Sequence, residues 1–203
     1  MSFYADRIMP RMIAAGMQNK AMRRYRPRIP PLAKGRVLEI GIGSGLNLPY
    51  YSREVTRVFG LEPSEFLRNQ AVEVGRSAPF PVELLSAGAE SIPLDSRSVD
   101  TVVSTWTLCS IPDLDAALGE IRRVLRPDGR LLFFEHGRAP DASVSRWQDR
   151  LAPVFRGLAG CNPNRQIDAS ITDAGFRMLE IERAYLDGPR FISWHFVGQA
   201  ATT

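Results

Sequence analysis

The segment Val37-Leu38-Glu39-Ile40-Gly41-Ile42-Gly43-Ser44-Gly45-Leu46-Asn47 constrains this chain more than any other. Arg36–Ile40 is apolar and β-prone apart from Glu39, so it reads as a short buried strand. Three alternating glycines follow: Gly41, Gly43 and Gly45. Glycine belongs where φ must be positive or where a ligand comes close to the backbone. A strand that runs through such a turn into a helix start offers free N–H groups and a positive dipole end to that ligand. The spacing is Gly-x-Gly-x-Gly, not the Gly-x-Gly-x-x-Gly of dinucleotide binders. Glu39 stands at the strand's carboxyl end, two residues before the first glycine. It would repel a pyrophosphate and welcome a ligand with an amino group or a sulfonium. On this stretch alone, a purely structural turn and a nucleotide site stay open as alternatives.

The rest of the chain alternates strand and helix, which predicts a mostly parallel sheet with helices on both faces. Strands are expected at 36–40, 56–61, 82–86, 99–104 and 130–135, and helices over 64–77, 113–125, 144–155 and 168–174. Two closing strands, 176–185 and 191–198, flank Leu186-Asp187-Gly188-Pro189, a hairpin turn that makes the last strand antiparallel. At 203 residues with 44% hydrophobic content this is one domain with an ordinary core. No run of 18 apolar residues exists, and the N-terminus has no apolar signal region, so the chain reads as cytoplasmic. Cys109 and Cys161 lack metal-ligand spacing and form no disulfide framework, so no metal is expected.

Residues 1–35 form a separate basic, helical arm ahead of the domain at 36–203. Residues 1–36 carry nine Lys/Arg against one acid, and five of the six methionines lie in the first 22 positions. Pro10 is expected to kink or break the helical stretch 3–24. This arm fits a helix packed on the surface, a lid over a ligand, or an amphipathic contact with a membrane surface through residues 1–28. No stacking motif accompanies the charge, so no nucleic acid is expected.

Glu62 ends the second strand, 21 residues after Gly41, where a carboxylate can accept hydrogen bonds from two ribose hydroxyls. Pro63 would flank the base. Ala89-Glu90-Ser91-Ile92-Pro93 and, before strand five, Val124-Leu125-Arg126-Pro127-Asp128-Gly129 follow in order. Together with the glycine turn and the Glu62 turn they resemble the "type 11" group of class I S-adenosylmethionine (AdoMet) methyltransferases. Leu108-Cys109-Ser110, Phe134-Glu135-His136, Trp147-Gln148, Gly160-Cys161-Asn162 with Arg165, Gly188-Pro189 and Val197-Gly198 resemble, more narrowly, the methyltransferase-like alkyl-thiol S-methyltransferases. The resemblance implies a Rossmann-like fold of seven strands, AdoMet as donor and a small lipophilic thiol as acceptor. It implies cofactor contacts from Glu39, Gly41, Gly43, Gly45, Asn47, Glu62, Pro63, Ala89, Glu90, Thr105 and Cys109. The chain departs from the family at Gly88, where many members have an acid for the adenine amino group.

His136 is the expected proton acceptor, since it follows strand five at the ligand edge. A thiol has an ordinary pKa near 8.5 and needs only to ionise. Tyr4, Trp106, Trp147 and Cys161 are the candidates for the acceptor wall, with core packing as the alternative for Trp106 and Trp147. His195 lies within the last strand, where a structural role is expected. Methylation of a phospholipid headgroup or a quinone, and AdoMet binding without turnover, are the competing functions.

Overall fold

The structure, a computed structural model, describes residues 8–18 and 20–202. Seven strands form one sheet in the order β3-β2-β1-β4-β5-β7-β6. They are β1 (Gly35–Ile40), β2 (Val55–Leu61), β3 (Val82–Leu85), β4 (Val99–Thr105), β5 (Leu125–His136), β6 (Phe176–Tyr185) and β7 (Trp194–Thr202). The first five pair in parallel, and β7 runs antiparallel to both β5 and β6. The helices are α1 (Met9–Met17), α2 (Lys20–Tyr25), α3 (Glu65–Gly75), α4 (Leu114–Val124), α5 (Ala142–Ala159), α6 (Ile167–Asp173) and the single turn α7 (Arg190–Ser193). None among the described residues is long and apolar enough to cross a membrane.

Two apolar layers sandwich the sheet, because alternate strand residues point to opposite faces. Leu38, Ile40, Val102, Leu131 and Phe133 pack on one side with Leu118 and Ile121 of α4 and Ile167 and Ile171 of α6. Val37, Val58, Val103, Leu132 and Phe134 pack on the other with Ile29, Ala33 and Phe80. The helices start where their caps place them: Ser64 Oγ accepts from Leu67 N at 3.5 Å, and Asp113 Oδ1 accepts from Ala116 N at 3.0 Å.

Two expectations are corrected. No α-helix follows the glycine turn; a 3-10 turn at Leu48–Tyr50 is all that forms. Pro49 occupies its start, and Tyr51 is drawn inward to bond Glu39, so the chain cannot continue as a helix. Pro10 sits in the first turn of α1, where a helix tolerates proline, and the stretch 3–7 on the other side of the expected break lies outside the described residues. The final connection is longer than a hairpin turn: α7 intervenes, and β7 starts at Trp194 and not at 191.

Candidate active site

The carboxyl ends of β1, β2 and β4 lie side by side and bring a connected set of polar groups together. Glu39, at 1% exposure, accepts from Asn47 Nδ2 at 2.7 Å and from the Tyr51 hydroxyl at 2.9 Å. Asn47 Nδ2 also donates to Thr105 Oγ1 at 2.9 Å, and Asn47 Oδ1 accepts from Arg26 Nη1 at 2.8 Å. Burial pushes the Glu39 carboxyl up to about 7, against the pull of Tyr51, Asn47 and Arg26. A buried carboxylate held this far up is stabilised by any cation that reaches it.

Glu62 ends β2 beside it. Its Oε2 accepts from Gly43 N at 3.2 Å and its Oε1 from Ser64 N at 2.9 Å. Each carboxylate oxygen has a second acceptor site, so both can still take a hydroxyl. Burial raises this carboxyl as well. Gly43 has φ +57°, and a Cβ there would meet nothing closer than 3.9 Å, so the turn leaves open space for a ligand. At Gly88 a Cβ would lie 2.6 Å from Glu90 Oε2. The Glu90 carboxylate thus stands beside position 88, with its other oxygen accepting from Asp113 N at 3.4 Å.

These groups border a cavity of about 300 Å³. Its floor includes Glu39, Gly41, Gly43, Asn47, Glu62, Pro63, Ala89, Glu90 and Thr105. Met9, Ile13, Ala14 and Met17 of α1 form an apolar wall, with Trp106 and Ile111 from the loop after β4. α1 is held against α3 by Arg11, whose guanidinium stands 4.7 Å over the Phe66 ring. Trp106 has φ +52°, a conformation that a bulky side chain adopts only under constraint. The constraint is visible: Trp106 N donates to Phe134 O at 2.8 Å and Nε1 donates to His195 Nε2 at 3.0 Å. Arg26 covers the indole at 5.3 Å. His195 Nδ1 in turn faces Ser193 O at 2.9 Å, and burial lowers this ring to about 4, so it stays neutral and accepts from Trp106.

Beyond the cavity wall, His136 meets both cysteines. Its Nε2 lies 3.0 Å from Cys161 Sγ, and the ligand atoms of Cys109, His136 and Cys161 all fall within 4.8 Å of one another. A hydrogen bond from Cys161, opposed by burial and helped by the His136 charge, holds the Cys109 thiol well below its ordinary value. Cys161 is pushed up by the same bond and by burial. Burial pulls His136 down, but the Cys109 thiolate outweighs it and leaves the ring above its ordinary value. Glu135 lies alongside, fully buried and raised to about 8 by burial and then by the Cys109 charge.

The family of the chain emerges from comparison. Residues 38–133 match the model of a methyltransferase domain. Thiol S-methyltransferase TMT1B of Homo sapiens is 32% identical over 181 residues, covering 83% of this chain and 72% of that one. The phosphatidylethanolamine N-methyltransferase of Cereibacter sphaeroides is 33% identical over 148 residues, covering 72% of each. The chain belongs to the class I AdoMet-dependent methyltransferases. A solved AdoMet-dependent methyltransferase from Aquifex aeolicus shares the fold, with a TM-score of 0.67 at 19% identity over 96% of this chain and 98% of that one.

In this methyltransferase Gly41, Gly43 and Gly45 all have positive φ, but Gly45 faces Leu48, Ala71 and Val74, so it serves packing and does not border the cavity. His136, expected as the base, does not border the cavity; nor do Cys109 and Cys161. Trp147 is corrected outright: it lies 56% exposed on the outer face of α5 under Arg150, away from the acceptor wall. Tyr4 lies outside the described residues. Among residues the sequence reading missed, Arg26 is the most consequential, at 5% exposure within a basic run that reads as solvated. Tyr51 was hidden in a loop. Gln148 is the functional half of Trp147-Gln148 for folding: fully buried, it donates to Gly137 O, Pro163 O and Phe191 O and accepts from Ala139 N.

Proposed function

We propose that this methyltransferase transfers the methyl group to a small lipophilic thiol. The observation that carries the reading is the apolar wall that Met9, Ile13, Ala14, Met17 and Trp106 set opposite Glu39 and Glu62. The similarity to a thiol S-methyltransferase supports it. Glu39 takes the ammonium group of the donor, with Asn47, Tyr51 and Arg26 fixing its orientation. Glu62 takes the ribose hydroxyls, Pro63 flanks the adenine, and Ala89 and Glu90 meet its edge. Bound AdoMet supplies a methyl carbon already activated by its sulfonium. The protein's task is then to align the acceptor sulfur and exclude water, which is positioning work. Methionines suit that wall because they adapt to acceptors of different shape. Residues 1–35 act as an arm whose α1 closes the acceptor side, and the domain proper spans 36–203.

A second reading, methylation of a phospholipid headgroup at a membrane surface, has its own support. Ile8 at the N-cap of α1, Met12 on α1, and Val154 and Leu158 on α5 are exposed apolar side chains, and a phosphatidylethanolamine enzyme is similar in sequence. Methyl-labelled AdoMet offered with an alkyl thiol, phosphatidylethanolamine vesicles and a quinol separates the two. Labelled thioether is expected, and product on the lipid alone overturns the thiol reading.

A further inference from the structure

Two thiols and an imidazole rarely meet in a protein interior without a shared task. Here they come from three separate elements. Cys109 lies in the 3-10 turn after β4, His136 ends β5, and Cys161 follows α5. Each is independently fixed. Gly160 caps α5 with φ +66°, and Cys161 N reaches back to Phe155 O at 3.4 Å, so the backbone of Cys161 is set by the helix end. Asn162 N and Nδ2 both bond Cys109 O, at 2.9 and 3.1 Å, tying the two cysteine segments together. Arg165 clamps the same loop through Leu108 O and Ile111 O. His136 Nδ1 is buried with no protein partner, so the ring is oriented from its Nε2 side alone, toward the sulfurs.

We infer that Cys109, His136 and Cys161 form a three-ligand site for a soft divalent cation, Zn²⁺. Bonds of about 2.3 Å to sulfur and about 2.0 Å to nitrogen put tetrahedral ligands roughly 3.5–3.8 Å apart. The three ligand atoms, all within 4.8 Å, span that range, and the 3.0 Å edge between Cys161 and His136 need open by only about half an ångström. Thiolate and imidazole together select zinc over magnesium or calcium. Three protein ligands are the count of a catalytic zinc, whereas structural sites close with four. Two thiolates neutralise the ion, so the buried site carries no net charge. The sequence neighbours Ser110 and Gly160 line the cavity, which puts the site directly behind the acceptor wall.

The test begins with metal content, read without turnover. The full chain purified without chelator should hold one equivalent of zinc. After chelation it should take up Co²⁺ with near-ultraviolet sulfur-to-cobalt absorption. Cys109→Ser and Cys161→Ser should each weaken Co²⁺ binding by more than the ~10–100-fold that losing a hydrogen-bond partner of a ligand costs. AdoMet calorimetry on each variant reports folding, and Cys161→Ala, at a half-buried position, serves as the milder variant. A folded wild-type chain that takes up neither ion, or cysteine variants with unchanged affinity, overturns the site.

Discussion

Glu39 should make AdoMet binding release a proton. Its carboxyl is fully buried and sits at about 7 in the free protein. The ligand's ammonium favours the charged carboxylate, so binding drives Glu39 to ionise. Below its pKa the protein must first lose a proton, and affinity falls with pH. The ionised fraction is about a half at pH 7 and about a tenth at pH 6, so affinity should drop about fivefold, about 1 kcal/mol, across that unit. An α-amino group near 7.7–8.0 stays charged in this range, so the ligand adds little titration of its own. Calorimetry at pH 6 in two buffers of different ionisation enthalpy should count about 0.9 proton released per AdoMet bound. Glu39→Gln should bind more weakly at pH 7 and lose the pH dependence. A wild-type affinity flat from pH 6 to 7, or the same slope in Glu39→Gln, would refute the reasoning.

The same shift has a stability sign. An acid whose folded pKa is raised binds more protons folded than unfolded between about pH 4.5 and 7, so ligand-free stability falls as pH rises through that window. The deficit above pH 7 is about 3 kcal/mol at most. Glu39→Gln should therefore raise the melting temperature of the ligand-free protein at pH 8 while weakening AdoMet, provided the Tyr51 hydroxyl reverses to accept from the new amide.

Glu62→Ala should weaken AdoMet by about 1–3 kcal/mol, because the hydroxyls it meets lose a buried partner; unchanged calorimetric affinity would remove Glu62 from the site. Gln148→Leu should lower unfolding free energy by about 2–4 kcal/mol, since three carbonyls and one N–H lose their shared partner in a buried junction. A urea midpoint equal to wild type would show that these groups find other partners.

The parts of this molecule visible in the sequence are those where function is local. Glu39 and its glycines stand on one strand and its turn, and Glu62 ends the neighbouring strand, so spacing alone brings them into register. The crossover between them was misread because nothing in the spacing reveals that Tyr51 leaves the expected helix to bond Glu39. Arg26 was lost for a similar reason. Five of its near neighbours are basic or proline, which reads as a solvated linker, yet Asn47 and the Trp106 ring hold it inside. The narrower motifs, Trp147-Gln148 and Gly160-Cys161-Asn162, were recognisable only by likeness. Their physical content is the Gln148 junction and the clamp of Asn162 on Cys109, both made with residues far along the chain.

This difference separates the two halves of the site. The donor half is built where β1, β2 and β4 end side by side, so a change in any one element disturbs a network shared by Glu39, Asn47 and Thr105. The half proposed for the acceptor is assembled from α1, the loop after β4 and the end of α5, which touch one another only in the folded protein. Residues there can change without disturbing the carboxylates that hold the donor. A thiol enzyme and a phospholipid enzyme can therefore both be about a third identical to this chain. Identity over the sheet reports the donor, and the proposed acceptor is to be read from Met9, Ile13, Met17 and Trp106 at the wall.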